Sequence, residues 1–320
     1  MGETHLPRGL FGYVWHASGR HQIALCVLSA VVFLLSAVPL ELQRRIVNDA
    51  IGRGATGAIL GLALAYAGVA LAEGLIKLSL NVYRGWVSER AVLHLRRDIG
   101  AYTGHAAAAR DRARAEGVEI SMMLSEAEPI GGFVGISLSE PLLQGGILLS
   151  VFGYLAWLEP WMAVLSLAVF SPQLVFVPLM QRAINVRAGE RIRTLREVSG
   201  GIVGADAAAM ERQREHLHHV FRLNMGIFKL KFSMNFLMNF MHHLGVALAL
   251  GVGGWLAVQG RLEVGTVVAF VSGLAKVNDP WGDVVNWFRE LTVVQMRYRL
   301  VSEGMRFLAG ADDAPVLRPQ

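Results

Sequence analysis

Six stretches of mainly apolar residues recur along the chain, at about 22–47, 58–84, 131–157, 161–184, 232–258 and 265–290. Each is long enough to cross the ~30 Å hydrocarbon core of a bilayer as an α-helix. The connections between them are very uneven. "WLEPW" (157–161) and "VQGRLEVG" (258–265) are tight hairpins. By contrast, about 45 residues separate the second stretch from the third, and the fourth from the fifth, far beyond ordinary connection lengths.

Those two long connections do not read as linkers. "SERAVLHLRRDIGAYTGHAAAARDRARAE" (88–116), "QRAINVRAGERIRTLREV" (181–198) and "ADAAAMERQREHLHHVFRLNMGIFKLKF" (205–232) are built from helix formers and hold no proline. The pattern predicts membrane helices that run on unbroken into water. A helix over 58–109 would be ~75 Å long, more than twice the hydrocarbon thickness. The predicted fold is therefore all-α and polytopic, with six long transmembrane helices carrying cytoplasmic extensions.

Composition agrees with lipid as the main solvent. Of 320 residues, 53% are hydrophobic and only 17% charged, where a soluble domain carries about 25% charged residues; mean hydropathy is +0.43. The net charge is +5, and its distribution sets an orientation. Of the 30 Lys and Arg, 22 fall in the N-terminal arm, the two long connections and the C-terminal segment, and 4 on the opposite side. Both termini and both long connections are thus predicted to be cytoplasmic, in an integral membrane protein of the bacterial inner membrane type. Cys26 is the single cysteine, which excludes a disulfide framework and a Cys-rich metal cluster. The N-terminal "MGETHLPRGLFGYVWHASGRHQ" lacks the layout of a secretory signal. It reads either as a frayed tail or as an arm with an interfacial elbow helix (1–21), with 10–15 helical and Tyr13 and Trp15 at headgroup level. The six-helix domain then spans 22–308, and a flexible tail 309–320.

Several apolar helices carry polar stripes. At ~100° per residue, Glu73, Lys77, Asn81 and Arg84 fall within ~80° of one another, as do Lys276, Asp279, Asp283, Asn286 and Glu290. Asn235, Asn239 and His242 stack at i, i+4 and i+7. A charge facing lipid near the midplane costs at least ~2.5–3.5 kcal/mol, so these residues are predicted to face the bundle interior or water. They serve either as a substrate path or as neutralised pairs, Glu73 with Lys77 and Lys276 with Asp279, that glue helices together. Five polar groups on one helix exceed what packing requires, which favours a path for a polar or amphipathic substrate.

Particular motifs extend this reading. "PLELQRRIVNDAI" (39–51), "EGVEISMMLSEAE" (116–128) with Gly117 and Glu126, and "GGWLAVQGRLEVGTVVAFVSGLAKVNDPWGDVV" (253–285) with Gly260, Gly265 and Pro280 follow in order. In that order and spacing the chain resembles the transmembrane domain of ABC exporters over about residues 8–308. The resemblance implies a permease half that pairs with a second transmembrane domain, as homo- or heterodimer. A separate ATP-binding subunit would supply ATP and Mg and drive alternating access. It also implies that the tips of the long connections dock on that subunit. Here those tips are "AAAARDRARAEG" (106–117) and "SGGIVGADAAAMERQ" (199–213), in which alanine, glycine and charge stand where the family places bulky anchors. The coupling candidates are Arg110, Asp111, Arg112, Arg114, Glu116, Asp206 and Glu211. The alternative to coupling is that these tips are merely solvated charged faces.

The chain has no ATPase of its own by sequence. A Walker A loop needs Gly-Lys, and Lys77, Lys229, Lys231 and Lys276 each follow a residue other than glycine. "VSGGI" (198–202) resembles the ABC signature but lies in a loop without the rest of an ATPase. Hydrolase motifs (HExxH, G-x-S-x-G) are missing, so no catalytic residue is assigned. "HLHH" (216–219) sets His216 and His219 on one face without a third ligand, a poor metal site. Neither a cofactor nor a metal in the chain, nor a nucleic-acid partner, is expected. The rival readings are an orphan membrane domain acting as sensor, scaffold or passive path, a fragment truncated before its nucleotide-binding domain, and a membrane-embedded enzyme using His242, His243, Asp279 and Asp283.

Overall fold

The computed structural model describes residues 7, 9–51, 54, 56–103, 126–200 and 207–308. Among them all regular structure is helical: α1 (Leu10–Ser36), α2 (Val38–Arg45), a π-helical turn (Ile46–Ile51), α3 (Thr56–Thr103), α4 (Ala127–Ile136), α5 (Ser139–Leu158), α6 (Pro160–Phe170), α7 (Gln173–Gly200), α8 (Ala207–Val258) and α9 (Val264–Leu308). Helix α3 has 48 residues and α8 has 52, so they are ~72 and ~78 Å long. The long connections are therefore helical continuations of apolar segments for as far as they are described.

Proline and glycine account for the interruptions. Pro39 stands in the first turn of α2, and the preceding Ala37 separates it from α1. Pro172 lies in the break between α6 and α7, with the Phe176 amide bonded to its carbonyl at 3.0 Å. Proline has no N–H to give the preceding turn. Pro160 occupies the first helical position of α6 behind Glu159, where its fixed φ suits a helix start. The hairpin between α8 and α9 closes on Gly260, whose φ of 68° is the left-handed value that glycine adopts freely. Its neighbour Arg261 donates back to the Leu256 carbonyl at 3.0 Å.

Five helical stretches are long and apolar enough to cross a membrane: Leu10–Asp49, Gly57–Gly100, Ala127–Leu158, Pro160–Leu195 and Gln213–Val258. The chain is thus a membrane protein of several span-capable helices. The sixth predicted span lies within α9, which is as long as the others but is not one of the five. Lys276, Asn278, Asp279 and Asp283 interrupt its apolar run.

The chain divides into two units: residues 1–154 with 279–320, and residues 155–278. In the first, α3 and α4 pack backbone to backbone. A Cβ placed on Gly131 would meet the Val92 nitrogen at 2.6 Å, and one on Gly135 would strike the Arg84 carbonyl. Gly131 and Gly135 form a GxxxG pair, the small-residue device by which membrane helices approach closely. Ser88 also donates to the Gly132 carbonyl at 3.0 Å. Helix α1 joins them through Gln22, fully buried, whose amide donates to Val134 O at 2.7 Å and to Ser18 Oγ at 3.0 Å.

The predicted helix over 10–15 is present and is set off by a kink from the rest of α1. Helix α1 begins at Leu10 and leaves helical geometry at Ser18 (φ −151°, ψ 21°) before resuming. Tyr13 is packed inside the protein, 2% exposed and donating to Ala91 O at 3.2 Å, while Trp15 stays exposed. Tyr13 also lies 5.4 Å, centroid to centroid, from Tyr298, which in turn donates to Pro7 O at 2.6 Å. A phenol with a backbone acceptor at hand is as well satisfied inside protein as at an interface.

In the second unit α7 and α8 lie side by side. Arg191 donates to Asn224 Oδ1 at 3.2 Å, His219 bonds Glu190 at 2.9 Å, and Gly226 leaves room for the Arg187 side chain. Gly253 faces Met162 and Val267, and Gly245 faces Phe170.

Candidate functional site

Seven of the twelve polar residues of the predicted stripes are exposed on this chain, four are half-buried and one is deeply buried. On α3, Lys77 and Asn81 are exposed, Glu73 is half-buried, and Arg84 is only 7% exposed. On α9, Asp279, Asn286 and Glu290 are exposed, while Lys276 and Asp283 are half-buried. On α8, Asn235 and Asn239 are exposed and His242 is half-buried. Lys276 belongs to the second unit and Asp279 onward to the first, so the α9 stripe runs across the unit boundary.

Arg84 is where the stripes become a site. Its Nη1 donates to Glu140 Oε2 at 2.5 Å and its Nε to Ser139 Oγ at 2.8 Å. The other carboxylate oxygen of Glu140 accepts from Gln144 Nε2 at 2.8 Å, and the same amide nitrogen donates to Asp283 Oδ2 at 2.9 Å. Arg84 of α3, Glu140 and Gln144 of α5, and Asp283 of α9 thus form a continuous polar relay within the first unit. The break between α4 and α5 sets Ser139 and Glu140 in the first turn of α5, and Gln144 follows one turn later on the same face. Arg84 Nη2 is buried without a hydrogen-bond partner, so the relay keeps one strong donor in reserve.

Pattern reasoning singled out Arg84 and Asp283 but passed over Glu140 and Gln144. A signal for them is present: Glu140 is the only charged residue between Gly131 and Trp157, and Gln144 lies four positions on. An intramembrane carboxylate of this kind is a functional candidate by itself, with a cation as its natural partner.

A second cluster joins α2 to α5. Glu41 accepts from Arg44 Nε at 2.9 Å, Arg45 Nε at 2.6 Å and Tyr154 Oη at 2.6 Å. It gathers Glu41, Arg44 and Arg45 of "PLELQRRIVNDAI" and resembles a structural clamp more than a reactive group, because these donors converge on one carboxylate.

Arg110, Asp111, Arg112, Arg114, Glu116 and Asp206 lie outside the described residues, and Glu211 falls in the early turns of α8. Among the described residues no group of three His, Cys, Asp or Glu is placed to hold a metal ion. His219 is engaged by Glu190 instead. No protein-family model matches the chain, and no curated protein matches it.

Proposed function

We propose that the chain is the permease half of an ABC exporter-like transporter, with six spans, paired with a second transmembrane domain and driven by a separate ATP-binding subunit. The observation that carries this reading is the length of α3 and α8, 48 and 52 residues. Apolar helices of ~72–78 Å exceed the bilayer by ~40 Å or more, enough to carry a motor's movement from water into the membrane. The relay between Arg84, Glu140, Gln144 and Asp283 gives that movement a polar centre on which to act. ATP and Mg belong to the partner, and the tips around 110–116 and 203–211 are the docking points. The 22-to-4 division of basic residues supports cytoplasmic termini in a bacterial inner membrane. The cargo is a polar or amphipathic molecule; the path candidates are Asn235, Asn239, His242 and Lys276 in the second unit and, separately, Asp279 and the relay in the first.

Affinity purification in mild detergent tests this. The expected result is a co-purifying ATPase whose turnover falls when Arg110, Arg112 and Arg114 are changed to Ala. Recovery of the chain without any ATPase overturns the permease reading and favours the orphan domain.

A further inference from the structure

The apolar faces of α1 and α3 end together at an aromatic and basic cluster. Leu75, Leu78 and Val82 are exposed along α3, as are Ile23 and Val27 on α1. One turn beyond Val82 the same face of α3 carries Trp86, 48% exposed, and a turn further Arg90. Before Ile23, toward the start of α1, stand Arg20 and His21. Exposed apolar side chains thus give way to Trp, Tyr and Arg within ~12 Å along the helix axis, the pattern by which membrane proteins mark the headgroup level.

The cluster is built rather than incidental. Tyr83 and Trp86 stack with centroids 6.0 Å apart, and His21 meets the edge of both rings. The Arg90 guanidinium lies 5.2 Å from the Trp86 centroid, a cation–π arrangement. Arg90 Nη1 reaches His21 Nε2 at 3.5 Å, and His21 Nδ1 reaches Tyr83 Oη at 2.7 Å. Arginine can only donate, so Nε2 accepts and Nδ1–H donates to the phenol oxygen. The chain of bonds leaves the Tyr83 O–H and most Arg90 N–H groups unspent. Among the described residues Arg90 has no carboxylate partner, and Arg20 is exposed. Helix α1 carries no acidic residue, and Glu89 lies ~100° round α3 from Arg90.

We propose that Tyr83, Trp86 and Arg90, with Arg20 and His21, bind the phosphate of an anionic phospholipid in the leaflet at this end of the helices. The acyl chains lie along the exposed faces of α1 and α3. The indole and phenol rings flank the glycerol region, and the guanidinium groups neutralise the phosphate with geometry that a fork of N–H donors suits. This rests on the chain's reading as a membrane protein and is independent of its partner ATPase.

The test uses the full chain in detergent micelles, titrated with phosphatidylglycerol or with phosphatidylcholine of the same acyl chains, with bound lipid counted by native mass spectrometry. Phosphatidylglycerol is expected to bind on the order of tenfold tighter. The double variant Arg20→Gln/Arg90→Gln is expected to lose that affinity by on the order of 10- to 30-fold. Arg214→Gln/Arg261→Gln removes the same charge elsewhere and is expected to leave binding unchanged. If the first variant does not fold, Arg90→Lys replaces it, and a several-fold loss with charge retained is the expected outcome. Equal affinity for the two lipids overturns the proposal, as does equal loss in the control pair. Displacement of phosphatidylglycerol by millimolar inorganic phosphate overturns the lipid assignment and marks a free-phosphate site instead.

Discussion

The side-chain amide of Gln144 reaches Asp283 at 2.9 Å, joining two helices whose residues stand 139 positions apart in the chain. Its other N–H goes to Glu140. One neutral amide therefore holds two carboxylates together, and among the described residues the cation bonded into the chain of contacts is Arg84, on the Glu140 side. Such a bridge is strong while both acceptors are charged and close, and it loses half its bonds when α9 moves relative to α5. Under the permease proposal, it is the contact that a transport movement breaks and remakes.

Removing the anion from this relay is costly. Glu140→Gln leaves the Arg84 charge buried beside a neutral amide, and breaking such a pair destabilises by ~3–5 kcal/mol. The expected outcome is a clear drop in the midpoint of thermal unfolding in detergent. The double variant Arg84→Met/Glu140→Leu, which removes both charges, is expected to recover most of it.

Function at the relay separates from folding at its weaker end. Under the permease proposal, Asp283→Ala in the relay and Lys276→Ala outside it are expected to leave membrane insertion intact and to change flux several-fold. Gln144→Leu, which severs the bridge without touching a charge, should act in the same direction as Asp283→Ala. Unchanged flux in Asp283→Ala and Lys276→Ala returns both residues to a packing role.

Close packing of α3 on α4 gives a test with an internal control. Gly135→Ala drives a methyl into the Arg84 carbonyl, and Gly131→Ala does so against the Val92 backbone. Each is expected to cost ~1–3 kcal/mol. Gly132→Ala, whose added Cβ meets nothing within 4 Å, should be close to neutral in the same unfolding measurement.

Orientation is checked through the lone cysteine. In a Cys26→Ser background, Glu159→Cys in the hairpin before α6 should react with an impermeant maleimide from outside intact cells. Glu303→Cys near the end of α9 should react only after permeabilisation. The reverse pattern refutes cytoplasmic termini.

Tyr13 gives a smaller, local effect. Tyr13→Phe deletes the bond to Ala91 O, and a single neutral hydrogen bond is worth about 1 kcal/mol. A modest loss of stability is expected by thermal unfolding, with insertion unaffected.

The two hairpins were legible in the chain because Glu159-Pro160 and Gly260 have local backbone preferences that need no partner. The breaks inside the first, third and fourth apolar stretches were harder to read. Pro39 and Pro172 lie at two of these breaks and Pro141 in the turn after the third. Hydropathy averages over such breaks. The relay was half legible: periodicity placed Arg84 and Asp283 on polar stripes, and left Glu140 and Gln144 among their apolar neighbours.

What the amino-acid order determined by itself was therefore the local and one-dimensional part: the helical structure of the described residues, the extension of α3 and α8 past any bilayer, and the uneven distribution of basic residues. Solvent transfer and backbone preference act residue by residue, so those features are written into the pattern. Which stripe meets which was decided only in three dimensions. Gly131 and Gly135 let α3 and α4 touch, Tyr13 is drawn inside by a carbonyl 78 residues away, and Gln144 bridges two carboxylates that no spacing rule relates. Those pairings depend on the distance between helices, and periodicity along one helix carries no information about its neighbour.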